Sequence, residues 1–242
     1  MRWIYISPHF DDAVLSCGGL IFDQARQGIQ AEIWTILAGD PPPGPLSEFA
    51  HQNHDLWGLP GGKQTVAMRK AEDQEAANRV GAELVHFDIP DCIYRRSGRG
   101  QALYPETVIT APHLADRKLP QRMAALLSSE LFEDDRLVCP LALGGHVDHV
   151  LVRQAVESLQ RSIIYYADVP YVLNNPQHLE PAIILMKDEL YPVSEAGMAG
   201  WLEGVAAYRS QVASLYKGEG TLEEAIRAYW MKEKGIKLWH IP

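Results

Sequence analysis

The chain has 242 residues, and 47% of them are hydrophobic, which is enough for the core of one large α/β domain. The formal net charge is −9, which argues against a nucleic-acid-binding surface, because such a surface needs a basic patch. No stretch approaches the roughly 20 apolar residues that a membrane span requires, so no membrane span is expected.

Short apolar runs alternate with helical patterns over the first 170 residues. Strands are predicted at 2–7, 31–37, 83–88, 136–140 and 162–167. Helices are predicted between them, at 13–27, 64–80, 120–133 and 149–160. This alternation is typical of βαβ units with right-handed crossovers and predicts an α/β fold with a parallel sheet.

Two long irregular segments, 39–63 and 89–118, interrupt this alternation. Both follow predicted strands, so both should emerge at the carboxyl-terminal edge of the sheet, where such folds bind their ligands. The second contains an arginine-rich run that predicts a solvated loop, with contact to an anionic substrate group as the alternative: Arg95-Arg96-Ser97-Gly98-Arg99.

The pattern changes after Pro170. We predict a strand at 182–186, helices at 195–215 and 222–232, and a closing strand at 236–241. We interpret residues 171–242 as a C-terminal extension of a single domain, 1–242, whose core is 1–170.

The three cysteines, Cys17, Cys92 and Cys139, are scattered and lack CxxC spacing. They predict reduced, mostly buried thiols and a cytoplasmic protein. The first residues lack the anatomy of a signal peptide, because the short apolar run meets Pro8 almost at once. The sequence leaves the oligomeric state open, and a homo-oligomer is compatible with it.

The first chemistry-bearing group follows the first predicted strand and contains one imidazole and two carboxylates: Ser7-Pro8-His9-Phe10-Asp11-Asp12. His9 and Asp12 are three residues apart, so both can face one metal ion if a helix begins here. Asp11 lies between them and would be available to accept a proton from water. The alternative is a helix N-cap made by one of the two aspartates, with His9 merely hydrogen-bonded.

The second group also follows a strand and opens a helix: Gly144-Gly145-His146-Val147-Asp148-His149. One histidine could face a metal and the other a substrate oxygen, and Asp148 could orient an imidazole through its second nitrogen. Solvated histidines at a polar helix start are the alternative. Two such groups at strand ends of one parallel sheet should meet, because the fold brings those ends together.

Together the two groups offer a His, Asp and His set that suits Zn²⁺ with one position open for water. Fe²⁺ is an alternative, because an open set of two histidines and a carboxylate resembles a facial triad. A site of this kind polarises a carbonyl and activates water. A carboxylate base and an imidazole at the oxyanion would complete a hydrolase for an amide or ester.

At these residues the sequence resembles the PIG-L/LmbE-like family of zinc-dependent N-acetylglucosamine deacetylases, whose two motifs usually read Ala-His-Pro-Asp-Asp-Glu and His-x-Asp-His. The segment 68–73 is similar to the family's Arg-x-x-Glu helix, and Pro90-Asp91 to its Pro-Asp-Gly turn. The resemblance covers residues 4 to about 170 and fades afterwards, although the segment 208–211 is similar to a late helix of the family that contains Ser-Gln. It implies a Rossmann-like three-layer sandwich with a mostly parallel sheet and an active site at the carboxyl ends of the strands.

Carried over by position, the resemblance makes His9, Asp12 and His149 the zinc ligands. Asp11 becomes the general base and His146 the group that stabilises the oxyanion. Arg69 and Asp91 would bind the sugar hydroxyls. Apart from the resemblance, we expect Glu72 and Asp73 to combine pairing along the helix with the positioning of Arg69. The expected reaction removes an N-acetyl or other N-acyl group from an amino sugar or glycoconjugate, a small-molecule substrate.

Phe10 and Ala13 stand where the family usually has Pro and Glu, and Cys92 replaces the glycine of the turn. None of these departures removes a metal ligand, so they concern the substrate more than the chemistry. The alternatives are a zinc amidase acting on a non-sugar amide and a catalytically silent sugar-binding module on the same fold. A nucleotide-binding fold is disfavoured because no glycine-rich phosphate loop follows the first strand; Gly18-Gly19 predicts close packing against the sheet instead.

Overall fold

A single seven-stranded sheet organises the computed structural model, which describes residues 1–242. Its strands lie in the order β3-β2-β1-β4-β5-β7-β6. The first five are parallel, whereas β7 runs antiparallel to both β5 and β6. The strands are β1 (Trp3–Ser7), β2 (Ala31–Thr35), β3 (Glu83–His86), β4 (Arg136–Pro140), β5 (Ile163–Tyr166), β6 (Lys187–Pro192) and β7 (Gly235–His240).

Helices cover both faces of the parallel part, as right-handed crossovers require. The helices α1, α3 and α8 pack against one another, and α4 packs against α5 as a second group. The ten helices are α1 (Asp12–Arg26), α2 (Glu48–Leu56), α3 (Gly62–Val80), α4 (Leu119–Glu130), α5 (Val147–Glu157), α6 (Tyr171–Asn174), α7 (Leu179–Ile183), α8 (Glu195–Val205), α9 (Val212–Leu215) and α10 (Leu222–Glu233). None of them has both the length and the apolar character needed to cross a membrane.

The predicted α/β fold with a mostly parallel sheet is confirmed, and the central strand shows why the sequence favours it. Every residue of β1 is buried, as expected for a strand covered by helices on both faces. The ends of β1, β4 and β5 lie side by side, because these strands are parallel neighbours. The segments that follow them therefore meet at one edge of the sheet.

The predictions for the C-terminal segment were wrong in part. Residues 182–186 lie at the end of α7 and in the turn after it, and the strand β6 begins at Lys187. The predicted helix 195–215 is divided into α8 and α9. The strand β6 is an exposed edge strand rich in charged residues, so it lacks the apolar signal of the others.

The glycine pair of α1 has a packing role, but its partner is a helix and not the sheet. A Cβ atom on Gly18 would lie 2.6 Å from Cδ1 of Trp201, which is on α8. The indole N–H of Trp201 donates a hydrogen bond to the carbonyl of Val14 at 2.8 Å. Close approach of α1 and α8 therefore requires a residue without a side chain at this position.

Candidate active site

The two predicted groups meet at the carboxyl-terminal edge of the sheet. His9 and Asp12 follow β1, and His146 and His149 lie at the start of α5, after β4. The ring centroids of the three histidines are 4.8 to 5.3 Å apart, and each ring is buried. Parallel pairing of β1 with β4 explains this meeting of residues that are about 140 positions apart.

Asp12 lies between two imidazoles. Its Oδ2 is 3.4 Å from Nδ1 of His9, and its Oδ1 is 3.3 Å from Nε2 of His149. Nε2 of His149 is buried and has no hydrogen-bond partner. The donor atoms of a divalent metal site must be free to bind the ion. This buried nitrogen has no partner and lies beside a carboxylate and a second imidazole, as such a site requires. The residues present thus fit a metal ion.

The three histidines are also close enough to share one metal ion, because nitrogen atoms of His9, His146 and His149 lie within 4.8 Å of one another. The hydrogen bonding of His146 sets it apart. Its Nδ1 accepts the backbone N–H of Asp148 at 3.2 Å, which leaves the proton of the neutral ring on Nε2. In this form His146 offers a donor, not a metal ligand.

In each of the other two imidazoles, the ring nitrogen that does not face Asp12 contacts a buried carboxylate. Nε2 of His9 is 3.1 Å from Oδ2 of Asp148, and Nδ1 of His149 is 2.7 Å from Oδ1 of Asp168. Such contacts fix the ring orientation and the tautomer of a metal-binding histidine. Asp148 was expected in this role, whereas Asp168 was missed, although it follows β5 at the same edge of the sheet.

The carboxylates of this cluster favour positive charge between them. Burial alone would raise the pKa of Asp12, but the neighbouring His149 and His9 hold it well below its ordinary value. Burial would lower the pKa of His149, but Asp12 and Asp168 raise it to about 9. Because the same carboxylates would also stabilise a bound cation, the electrostatics agree with the donor geometry.

The side chain of Asp11 does not cap helix α1. This disfavours the alternative interpretation, in which an aspartate of the first group is only a helix N-cap. The Asp11 side chain makes no capping hydrogen bond, and the amide of Ala13 is instead capped by Oγ of Ser7 at 3.0 Å. Burial and the nearby charge of Asp12 raise the pKa of Asp11 to about 6. A carboxyl group in this range suits a general base.

Phe10, which the sequence left unexplained, packs against Arg69. The guanidinium carbon of Arg69 is 5.0 Å from the centroid of Phe10 and 4.7 Å from that of Trp57. Its NH2 lies 3.8 Å from Oδ1 of Asp11. The two rings therefore hold the arginine close to the expected base.

A cavity of about 190 Å³ opens onto these groups. All the predicted catalytic and substrate-binding residues line it, namely Asp11, His146, Arg69 and Asp91. Tyr171 and Gln211 also line it, and neither was predicted to be a site residue. The ring of Tyr171 lies edge-on to His149, with centroids 5.3 Å apart.

The prediction of a solvated run at 95–99 holds for Arg99, which is exposed, and is wrong for Arg95. Arg95 is not solvated: it is only 6% exposed, and its NH1 lies 2.6 Å from Oδ1 of Asp148. The expectation that Glu72 and Asp73 position Arg69 was also wrong, because neither makes a hydrogen bond or ion pair with it. Glu72 instead accepts two hydrogen bonds from Ser210, and Asp73 binds Thr35, His86 and Tyr208.

Comparison with known proteins agrees with this geometry. The model of the PIG-L family, described as GlcNAc-PI de-N-acetylase, matches residues 4–160. A 2'-N-acetylparomamine deacetylase of Niallia circulans is 27% identical over 99% of this chain and 94% of its own length. A protein of the same description from Streptomyces fradiae is 28% identical over 70% of this chain and 57% of its own length.

A solved structure, the zinc-inhibited form of teicoplanin deacetylase Orf2, superposes with a TM-score of 0.84 and 25% identity, covering 99% of this chain and 97% of the other. These findings confirm the predicted resemblance, the fold class and the assignment as a hydrolase of the deacetylase type. They support a metal cofactor without identifying the metal.

Proposed function

The chain belongs to the PIG-L family, and on that premise we propose that this deacetylase uses zinc to remove an N-acetyl group from an amino sugar or its glycoside. The observation that carries the proposal is the position of Asp12 between Nδ1 of His9 and Nε2 of His149. We assign His9, Asp12 and His149 as the metal ligands. Two relatives described as deacetylases of an N-acetylated paromamine support the substrate class.

Zinc bound by these residues would supply a Lewis acid that polarises the amide carbonyl and lowers the pKa of water to about 7. Asp11 accepts a proton from the attacking water, whose oxygen forms a bond to the carbonyl carbon. The same carboxyl then returns that proton to the leaving nitrogen as the C–N bond breaks, which gives acetate and the free amine. Its raised pKa suits both transfers.

His146 stabilises the negative charge that develops on the carbonyl oxygen. Burial, followed by the nearby charges of His9 and His149, lowers its pKa well below the ordinary value, so the ring is neutral. With Nδ1 engaged by the amide of Asp148, its Nε2–H is the donor available to the oxyanion. Arg69 and Asp91 line the same cavity and bind the sugar hydroxyls.

Acetate release from a panel of N-acetylated amino sugars, with and without a chelator, tests this proposal. We expect release that depends on the metal, and a loss of about 10²–10⁴-fold in rate for Asp11→Asn. Metal content is measured on the same preparations, so that loss of the ion can be told from loss of the base. Full activity of Asp11→Asn, or release unaffected by complete removal of the metal, would overturn the mechanism.

A further inference from the structure

A second cavity, of about 600 Å³, lies next to the active site and shares no lining residue with it. Four cationic side chains line it: Arg95, Arg96, Lys118 and Arg122. Lys118 directly precedes α4, so the helix N-terminus adds partial positive charge at the same place. The proposed deacetylation uses none of these residues.

This cavity is basic, although the whole chain carries a net charge of −9. Two carboxylates, the exposed Asp88 and the buried Asp116, also line it, so four cations minus two carboxylates leaves an excess of two positive charges among the lining side chains. That of Asp116 is engaged, because its Oδ2 accepts hydrogen bonds from Nε of Arg95 at 2.9 Å and from the hydroxyl of Tyr104 at 2.7 Å. The side chains of Lys118 and Arg122 are exposed, so their charges remain available to a ligand.

Arg95 connects this cavity to the active site and has one donor without a partner. Its Nε is bonded to Asp116, and its NH1 lies 2.6 Å from Asp148, the residue that orients His9. Its NH2 is buried and makes no hydrogen bond. Buried guanidinium N–H groups are normally satisfied, so this one is available to an acceptor from outside the chain.

We propose that this cavity binds an anionic group with the chemistry of a phosphate, recognised by Arg95, Lys118 and Arg122. Several cationic donors converging on one cavity suit such an anion through charge-assisted hydrogen bonds. The anion is either free in solution or a phosphate carried by the substrate. Binding itself is independent of the proposed deacetylation, whereas an effect on substrate selection rests on that proposed function.

Calorimetric titration of the metal-loaded protein with inorganic phosphate tests the binding. We compare the wild type with Lys118→Gln/Arg122→Gln and with the control Arg99→Gln/Arg117→Gln, which removes the same charge from two exposed positions that do not line the cavity. The cavity variant should raise the Kd at least about tenfold, and the control should leave it within about twofold. Arg122→Gln alone, at an exposed position, should give an intermediate Kd and serves if the double variant does not fold.

Three outcomes would overturn the proposal: no binding, equal affinity in all proteins, or equal weakening in the control. Equal affinity is what phosphate bound at the metal centre would give. Failure of the deacetylase proposal would leave the calorimetric result unaffected.

The source of the anion is decided by kinetics with N-acetylglucosamine and its 6-phosphate. A lower KM for the phosphorylated sugar that is lost in Lys118→Gln/Arg122→Gln identifies a substrate-borne group. A changed rate on the neutral sugar when phosphate is added identifies a free anion. Binding with neither effect would indicate an adventitious ion only and would overturn the functional assignment.

Discussion

The carboxylate of Asp168 holds Nδ1 of His149, and converting it to an amide should weaken metal binding. One oxygen is 2.7 Å from Nδ1 of His149, and the other accepts the backbone N–H of Leu143 at 3.3 Å. Asparagine has one acceptor oxygen, so Asp168→Asn must turn its NH2 group toward one of these two donors. Because Asp168 is fully buried, water cannot relieve the mismatch.

Loss of a carboxylate behind a metal-binding histidine costs about 10–100-fold in metal affinity. We therefore expect the Kd for Zn²⁺ of Asp168→Asn, measured by competition with a chromophoric chelator, to rise by that factor. Acetate release should fall at limiting zinc and recover as zinc is added. An unchanged Kd in the folded variant would refute the argument that Asp168 orients a metal ligand.

Asp135→Asn is a matched control, because it neutralises a buried carboxylate far from the site. Asp135 binds Arg2 through both oxygens, at 3.0 and 2.6 Å. Burial would raise its pKa, but the bonds from Arg2 hold it below the ordinary value. The stability from this pair is thus present above about pH 4 and is lost as the pH falls through the lowered folded-state pKa. Asp135→Asn should reduce the free energy of unfolding by ~2 kcal/mol at pH 7, less in acid, and leave zinc affinity unchanged.

Two glycine substitutions should separate activity from stability. Gly144→Ala places a Cβ against the ring of Tyr171, so the tyrosine must leave its edge-on contact with His149, and kcat/KM for acetate release should fall roughly 10–100-fold. Unchanged kcat/KM would mean that the position of this ring is irrelevant to catalysis. Gly18→Ala places a Cβ 2.6 Å from Trp201, and urea denaturation should show a loss of about 1–3 kcal/mol, with the activity of the folded protein retained. Wild-type stability would show that α1 and α8 can separate without cost.

The candidate ligands could be predicted from the sequence because each accompanies a local signal. His9 and Asp12 follow an apolar run, and His146 and His149 combine helical spacing with a preceding glycine pair. One physical rule, that parallel strands end at a common edge, then brings them together. The same rule applies to Asp168, which follows β5 at that edge. It was missed because a single aspartate after a strand has no spacing pattern to distinguish it from a turn residue.

The errors concern residues whose partners are distant in the chain. Arg95 lies in a loop rich in arginine and glycine, a composition that favours exposure, yet it pairs with Asp148, 53 positions later. Long-range pairing of this kind leaves no periodicity in the sequence.

Helix α2, within the segment 39–63, was missed for a local reason. The proline run before it predicts irregular structure, although Ser47 caps the helix through its side chain.

Part of the lining of the active-site cavity comes from residues outside the segment that the family model matches. Tyr171 and Gln211 line the cavity, whereas the match ends at residue 160. Gln211 donates a hydrogen bond to Oγ of Ser210 at 2.9 Å, and Ser210 is held by Glu72 through both its amide and its hydroxyl. A residue of the matched segment thus fixes the position of one beyond it. The proposed catalytic groups lie in the part of the chain that the family model matches, whereas Tyr171 and Gln211, which line the same cavity, lie beyond it.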